Sequence, residues 1–329
     1  MRLALLAPLE YPLTQPYVGG LERHTVQLAR GLAALGHELT LFARPGSEPL
    51  PGIQLVTDFT NYGKLLRHLR TADYDLLHNN TINFLPTLLS FRLPYPVVTT
   101  LHTPPYRRLL PGALSARVLG GASFVAISRH LARRWQRYTG PCTVIHNGID
   151  PADWSFTSSA PACSALWYGR ITPEKAPHLA ILAARRAGYR IRLAGPVGDA
   201  AYHRDRLLPL LGQDAEYLGH LDQHALLPHM GNAAVGLFTS VWEEPFGLVI
   251  PELLACGTPV VGFASGAAPE LVTDAVSRLV PVGDVLRLAE AIPQAAGLDR
   301  VACRTYAVDH FHVQKMIDAY HALYLRLTA

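Results

Sequence analysis

Two glutamates, Glu244 and Glu252, are separated by seven residues in the stretch EPFGLVIPE, and what they can do depends on where a helix begins between them. Proline in a helix interior costs roughly 3 kcal/mol, whereas the first turn, whose N–H groups have no internal partner, tolerates it. Pro251 therefore predicts a helix that begins near Gly247 or Leu248. Such a start turns the N–H groups of Phe246, Gly247, Leu248 and Val249 outward at the positive end of the helix dipole, a seat for a phosphate or a sugar oxygen. Gly247 lets a ligand come close. Glu252 then lies one turn inside the helix and Glu244 in the loop before it, so the carboxylates can flank a ligand without sharing one proton. On spacing alone, the pair also describes a surface glutamate followed by a helix-capping one.

Two cations form a second constellation. In YGRITPEKAPHLAI, Arg170 follows an apolar run and Lys175 opens a helical pattern. An arginine fork and a lysine point charge at the end of a strand suit a diphosphate; solvated surface charges are the ordinary alternative. Gly19 and Gly20 lie between the first apolar run and a helix marked by Val26, Leu28, Leu32 and Leu35. Glycine there removes the side chain that would block a phosphate, although two glycines can be a plain turn and are not the three-glycine dinucleotide fingerprint. His102 follows the run in TTLHTPP, one of fifteen histidines, for most of which a structural role is the ordinary expectation.

The elements that must position these residues alternate. Runs of strand length at 3 to 7, 39 to 43, 96 to 101 and 123 to 127 alternate with helical periodicity, and the same plan restarts at SALWYG and continues through RIRLAG, AEYLG, AAVGLF and TPVVGF. Continuous apolar strands separated by helices predict parallel sheets covered on both faces. The stretch NGIDPADWSFTSSAPAC has neither period and predicts a hinge near residues 147 to 162. The expected domains are residues 1–155 and 156–310, followed by a C-terminal helix over 311–329 that packs back on the first domain. In such sheets ligands bind beyond the carboxyl ends of the strands, where the residues named above fall.

Composition narrows the class. The 329 residues suffice for two cores, and 49% hydrophobic with 16% charged residues describes a folded protein. The net charge of +4 comes with arginines scattered singly, which argues against a nucleic-acid partner and fits an anionic small molecule or an anionic membrane surface. Four cysteines in no zinc or dithiol spacing predict reduced thiols and a cytoplasmic location. No apolar run is long enough to span a bilayer, so membrane contact is at most peripheral, at the inner membrane surface.

These motifs together resemble family 4 of the retaining glycosyltransferases, enzymes of the GT-B fold, in which two Rossmann-like domains of parallel sheet face one another across a cleft. The family signature is Glu, seven residues, Glu, with Phe-Gly just inside; EPFGLVIPE fits it, with Pro251 a less usual filling. Arg170 and Lys175 match the family's GR…EK phosphate motif, with Ala176 where glycine commonly follows the lysine. The resemblance runs from about residue 3 to 280 and is strongest between 164 and 272. It implies that Glu252 binds the ribose hydroxyls of a nucleotide-sugar, that Glu244 and His102 lie at the transferred sugar, and that Gly19, Gly20 and the N–H groups of Phe246 to Val249 hold donor oxygens. HNGID and SGAAPELV also match, which places Gly148 and Glu270 near the cleft.

The implied enzyme is a hexosyltransferase that retains anomeric configuration by same-face displacement, with Glu244, His102, Arg170 and Lys175 catalytic. It needs no metal or other cofactor. UDP is the favoured base, with GDP and ADP as alternatives; the acceptor is a saccharide, lipid or small molecule. Rival readings are an epimerase or phosphorylase on the same fold, a non-catalytic nucleotide-sugar-binding protein, and an NAD-dependent dehydrogenase.

Overall fold

The structure, a computed structural model, describes residues 1–15, 17, 19–59 and 61–329. The chain divides into two units. Unit 1 comprises Met1–Gly148 together with Val313–Ala329, and unit 2 comprises Ile149–His312.

Among the described residues, unit 1 holds one sheet of seven strands: β1 (Arg2–Leu6), β2 (Glu38–Phe42), β3 (Gln54–Val56), β4 (Leu76–Asn79), β5 (Val97–Leu101), β6 (Ala122–Ala126) and β7 (Thr143–Val144). All pairings are parallel, in the order β3-β2-β1-β4-β5-β6-β7. The two-residue period of a strand explains the layers. Leu3 and Leu5 point to a core shared with Val26, Leu28 and Leu32 of helix Gly20–Ala34. Ala4 and Leu6 point the other way, to Leu65, Leu66 and Leu69 of helix Tyr62–Leu69. Burying one such leucine contributes roughly 1.5–3 kcal/mol.

The last helix, Val313–Thr328, completes the first of these cores with Tyr320, Leu323 and Tyr324. Gly31 makes the approach possible, since a Cβ there would lie 2.1 Å from Ile317 Cδ1. Phe311, which periodicity places in this helix, instead closes helix Arg300–Phe311, because His312 (φ −56°, ψ 129°) leaves the helical region.

Unit 2 repeats the plan with β8 (Ser164–Tyr168), β9 (Arg190–Ala194), β10 (Ala215–Tyr217), β11 (Val235–Phe238), β12 (Val260–Phe263) and β13 (Ser277–Val280), parallel in the order β10-β9-β8-β11-β12-β13. Its core packs Ile181, Ala184 and Leu288 against Ile191, Leu193 and Val261. Counted from its own first strand, unit 2 runs 3-2-1-4-5-6 and unit 1 runs the same order with a seventh strand beyond it, the doubly wound Rossmann order, in which ligands lie at the carboxyl edge where the order reverses. No helix among the described residues is long and apolar enough to cross a membrane.

Candidate functional site

The loops after β8, β11 and β12 build a charged constellation in unit 2. Arg170 lies two residues beyond β8, exposed, with no hydrogen-bond or ion-pair partner among the described residues. Its aliphatic stem covers Gly198, where a Cβ would come within 2.6 Å of Arg170 Cγ and Cδ. Lys175 precedes helix Pro177–Arg186, which Ala176 caps in the left-handed conformation (φ 47°, ψ 50°). That conformation costs an alanine roughly 1–2 kcal/mol more than a glycine, so the departure from the family's usual glycine is a strained one. Thr239, just after β11, anchors the turn: its hydroxyl lies 3.0 Å from the Lys175 carbonyl and 3.1 Å from that of Ala176, and it accepts from Trp167 Nε1 at 3.0 Å.

This turn brings Lys175 onto Glu244. Oε2 of Glu244 accepts from Lys175 Nζ, from Ser240 Oγ at 3.1 Å and from Trp242 Nε1 at 2.9 Å, while Oε1 has no partner among the described residues. The residue is only 8% exposed, and a buried carboxylate requires such donors. The ammonium also lies 5.8 Å from the centroid of the Trp242 ring, within cation–π range. Gly266, after β12, fixes the loop from behind. It sits at φ +55°, a Cβ there would be 2.2 Å from the Glu244 carbonyl, and Ala267 N–H donates to that carbonyl at 2.9 Å.

The helix after Glu244 runs Val249–Ala255 with Leu248 as its cap, so the start expected from Pro251 is where the structure has it. The N–H groups of Gly247, Leu248 and Val249 have no acceptor among the described residues. Gly247 adopts φ +94°, a left-handed turn that favours glycine whatever approaches it. Glu252, 3% exposed, accepts a hydrogen bond from the Tyr168 hydroxyl, which also lies 3.3 Å from the Val249 carbonyl. Burial, with Glu252 adding to it, pushes the neighbouring Cys256 thiol up to about 12, so this cysteine is no nucleophile near neutrality.

Gly19, Gly20 and His102 belong to unit 1. Gly20 is the first residue of helix Gly20–Ala34, and Gly19 caps it with extended backbone. His102 follows β5 and is held from behind by Asn80 Oδ1, 2.6 Å from its Nε2. The Asn80 amide nitrogen donates to Thr25 Oγ1 at 2.6 Å and faces His24 Nδ1 at 3.1 Å. With both donors used there, Asn80 can only accept from His102, so His102 carries its proton on Nε2 and keeps a lone pair on Nδ1. Burial, with His24 and His78 nearby, holds the His102 pKa well below the usual histidine value. His102 also lines a small pocket together with Thr81, Asn83, Thr99, Thr103 and Trp135.

A second chain of contacts lies deeper in the unit. His78 sits 2.5 Å from the Tyr324 hydroxyl and 2.7 Å from Thr100 Oγ1, which lies 2.9 Å from the Tyr320 hydroxyl. Gly148, expected near the cleft, is buried against the last helix, where a Cβ would be 2.5 Å from Val313 Cα. Glu270 is half-buried in helix Ala268–Leu271.

Residues 18–153 match the family model described as Glycosyltransferase Family 4, and residues 163–301 match that of Glycosyl transferases group 1. The chain belongs to glycosyltransferase family 4. As a glycosyltransferase of this family it has the GT-B fold, and its relatives agree along nearly the whole length. Glycogen synthase of Mycobacterium tuberculosis (strain ATCC 25618 / H37Rv) is 27% identical, with 98% of this chain and 94% of the relative covered. Phosphatidyl-myo-inositol mannosyltransferase of Mycolicibacterium smegmatis is 27% identical over 89% of this chain and 84% of the relative. Among solved structures, AviGT4, a glycosyltransferase involved in avilamycin A biosynthesis, superposes with a TM-score of 0.77 at 25% identity, covering 99% of this glycosyltransferase and 98% of AviGT4. Anabaena Alr3699/HepE, solved in complex with UDP, has the same fold, with a TM-score of 0.79 at 20% identity over 99% and 100% of the two chains.

Three residues that hold the unit 2 site were not singled out from the sequence. Tyr168 reaches Glu252 across 84 positions, a contact formed only once the strands of unit 2 have assembled, whereas Ser240 and Trp242 lie in the same loop as Glu244, four and two residues before it.

Proposed function

We propose that this glycosyltransferase moves a hexose from a nucleotide-sugar to an acceptor hydroxyl with retention, using protein cations and N–H groups rather than a metal to balance the leaving diphosphate. The observation that carries the reading is the gathering in unit 2 of the unpartnered Arg170 guanidinium, the Lys175–Glu244 pair and three unused N–H groups at Gly247 to Val249. Arg170 takes the diphosphate by its fork, and Lys175 bridges a phosphate oxygen and Glu244. The free Oε1 of Glu244 accepts from a sugar hydroxyl, and Glu252 with Tyr168 holds the ribose hydroxyls.

As the bond from the anomeric carbon to phosphate oxygen breaks, negative charge grows on the leaving diphosphate, where Arg170 and Lys175 stabilise it most. The acceptor oxygen bonds to the same face of that carbon, and its proton passes to the departing phosphate oxygen, which preserves the anomeric configuration. The family resemblance assigns His102 a contact with the transferred sugar. The acceptor is a saccharide, lipid or small molecule, and the enzyme works in the cytoplasm with its four cysteines free.

UDP is the first base to test, supported by the UDP complex of the Anabaena protein. Calorimetric titration with UDP, GDP and ADP is expected to give binding to UDP in the presence of a chelator. Glu252→Ala should weaken it about ten- to a hundredfold, the loss of charge-assisted hydrogen bonds worth roughly 1.5–3 kcal/mol. Unchanged nucleotide affinity in that variant rejects the ribose role; an absolute requirement for a divalent cation rejects the metal-free mechanism. Donor consumed to a stereoisomer without acceptor would make the enzyme an epimerase.

A further inference from the structure

Between residues 76 and 149 the chain has no aspartate or glutamate and eight arginines, every one of them exposed. The whole chain is +4, so this stretch carries +8 and everything outside it −4. Arginines are spread over both units, but the net positive charge is concentrated in this acid-free stretch of unit 1.

The same stretch exposes large apolar side chains: Val118 is 80% exposed, Leu119 57%, Leu114 45% and Phe91 41%. Three of these share one end of the unit. Gly121, just after helix Leu110–Leu119, packs so closely on the turn Ser90–Arg92 that a Cβ would lie 2.5 Å from Phe91 N, which sets Val118 and Leu119 beside Phe91. Arginines frame them. Arg92 lies over the Phe91 ring at 5.4 Å, and Arg117 donates to the carbonyl of Arg137 near the end of helix Arg129–Thr139. This end adjoins the start of β6 at Ala122, opposite the carboxyl edge that carries His102.

We propose that this end of unit 1 docks on the anionic surface of a lipid bilayer. Phe91, Val118 and Leu119 enter the headgroup boundary, and Arg92, Arg117 and Arg137 meet lipid phosphates. Charge complementarity selects the anionic surface, and the protruding aliphatic side chains select lipid over nucleic acid, whose phosphate backbone offers them no apolar partner. Arginine suits such a boundary because its stem packs on apolar groups while the guanidinium reaches phosphate. The proposal does not depend on the identity of donor or acceptor.

The test is flotation of the full chain with vesicles of phosphatidylcholine alone or mixed with phosphatidylglycerol. Binding is expected to the mixed vesicles only and to weaken as salt is raised. Val118→Ser with Leu119→Ser, and separately Arg92→Glu with Arg137→Glu, should each lower the partition coefficient about tenfold or more while thermal unfolding stays as in the wild type. Failure of the wild type to float with anionic vesicles overturns the proposal. So does equal flotation of wild type and both double variants, or tight binding to duplex DNA that Val118→Ser with Leu119→Ser leaves intact.

Discussion

The two units share a strand order but place their buried polar groups differently. Unit 2 sets charges in the loops beyond its strands, where Lys175 and Glu244 hold each other. Unit 1 buries neutral groups within its sheet: His78 and Asn79 lie in β4, Asn80 follows it, and Thr99 and Thr100 lie in β5, all under 5% exposed. The first arrangement holds a site by charge, so its function should respond to loss of a charge. The second holds His102 through a relay of amides, hydroxyls and rings, so its function should respond to residues that touch no ligand.

Lys175→Ala is the severest way to challenge that contrast. It removes the cation proposed to hold a phosphate oxygen and leaves the Glu244 carboxylate buried with only neutral donors, and turnover should fall about a hundred- to a thousandfold. Wild-type turnover in a coupled assay of nucleotide release would break the charge-held reading of unit 2. Asn80→Ala tests the other side. It should cost roughly 1–3 kcal/mol of stability in urea, because His102 and His24 lose their buried partner, and turnover should drop about tenfold with little change in donor KM. A drop in stability with full turnover would reduce Asn80 to a core residue.

Acid should also separate the units. Burial lowers the His24 pKa to about 4 and holds His78 well below the ordinary value of 6.5, so the unfolded chain takes up these protons first. Their contribution to stability is complete above the ordinary value and declines as pH falls from there toward the folded value. The slope is about 1.4 kcal/mol per pH unit for each histidine. Hydrogen exchange at about pH 5 should therefore show unit 1 peptides losing protection before those of unit 2; the reverse order would count against the relay. The smallest effect is expected at the cap. Ala176→Gly relieves the left-handed strain but loosens the unfolded chain, for a net gain of less than about 1 kcal/mol in a thermal melt.

The same contrast explains what could be read without coordinates. β1, β5 and β8 announce themselves as apolar runs, whereas β4 reads LLHN and hides as a strand because its polar half is satisfied by residues far along the chain. Tyr324 meets His78 across 246 positions, a pairing no local period reveals. The unit 2 motifs were legible because a helix start near Pro251 and cations after a strand follow from local chemistry. The positive charge of unit 1 escaped notice because its signal is an absence of acids over a long stretch rather than a run of bases.

The return of the last helix to unit 1 dictates an order of assembly during synthesis. The first 148 residues emerge with one core only partly covered, and the 164 residues of unit 2 must be made before Tyr320 and Tyr324 arrive. At about 5–20 residues per second this delay lasts roughly 10–30 s. The unit translated first is thus the one finished last, and a nascent chain stalled before Val313 would expose the apolar face around Leu28, Leu32 and Val26 to any chaperone at the ribosome exit.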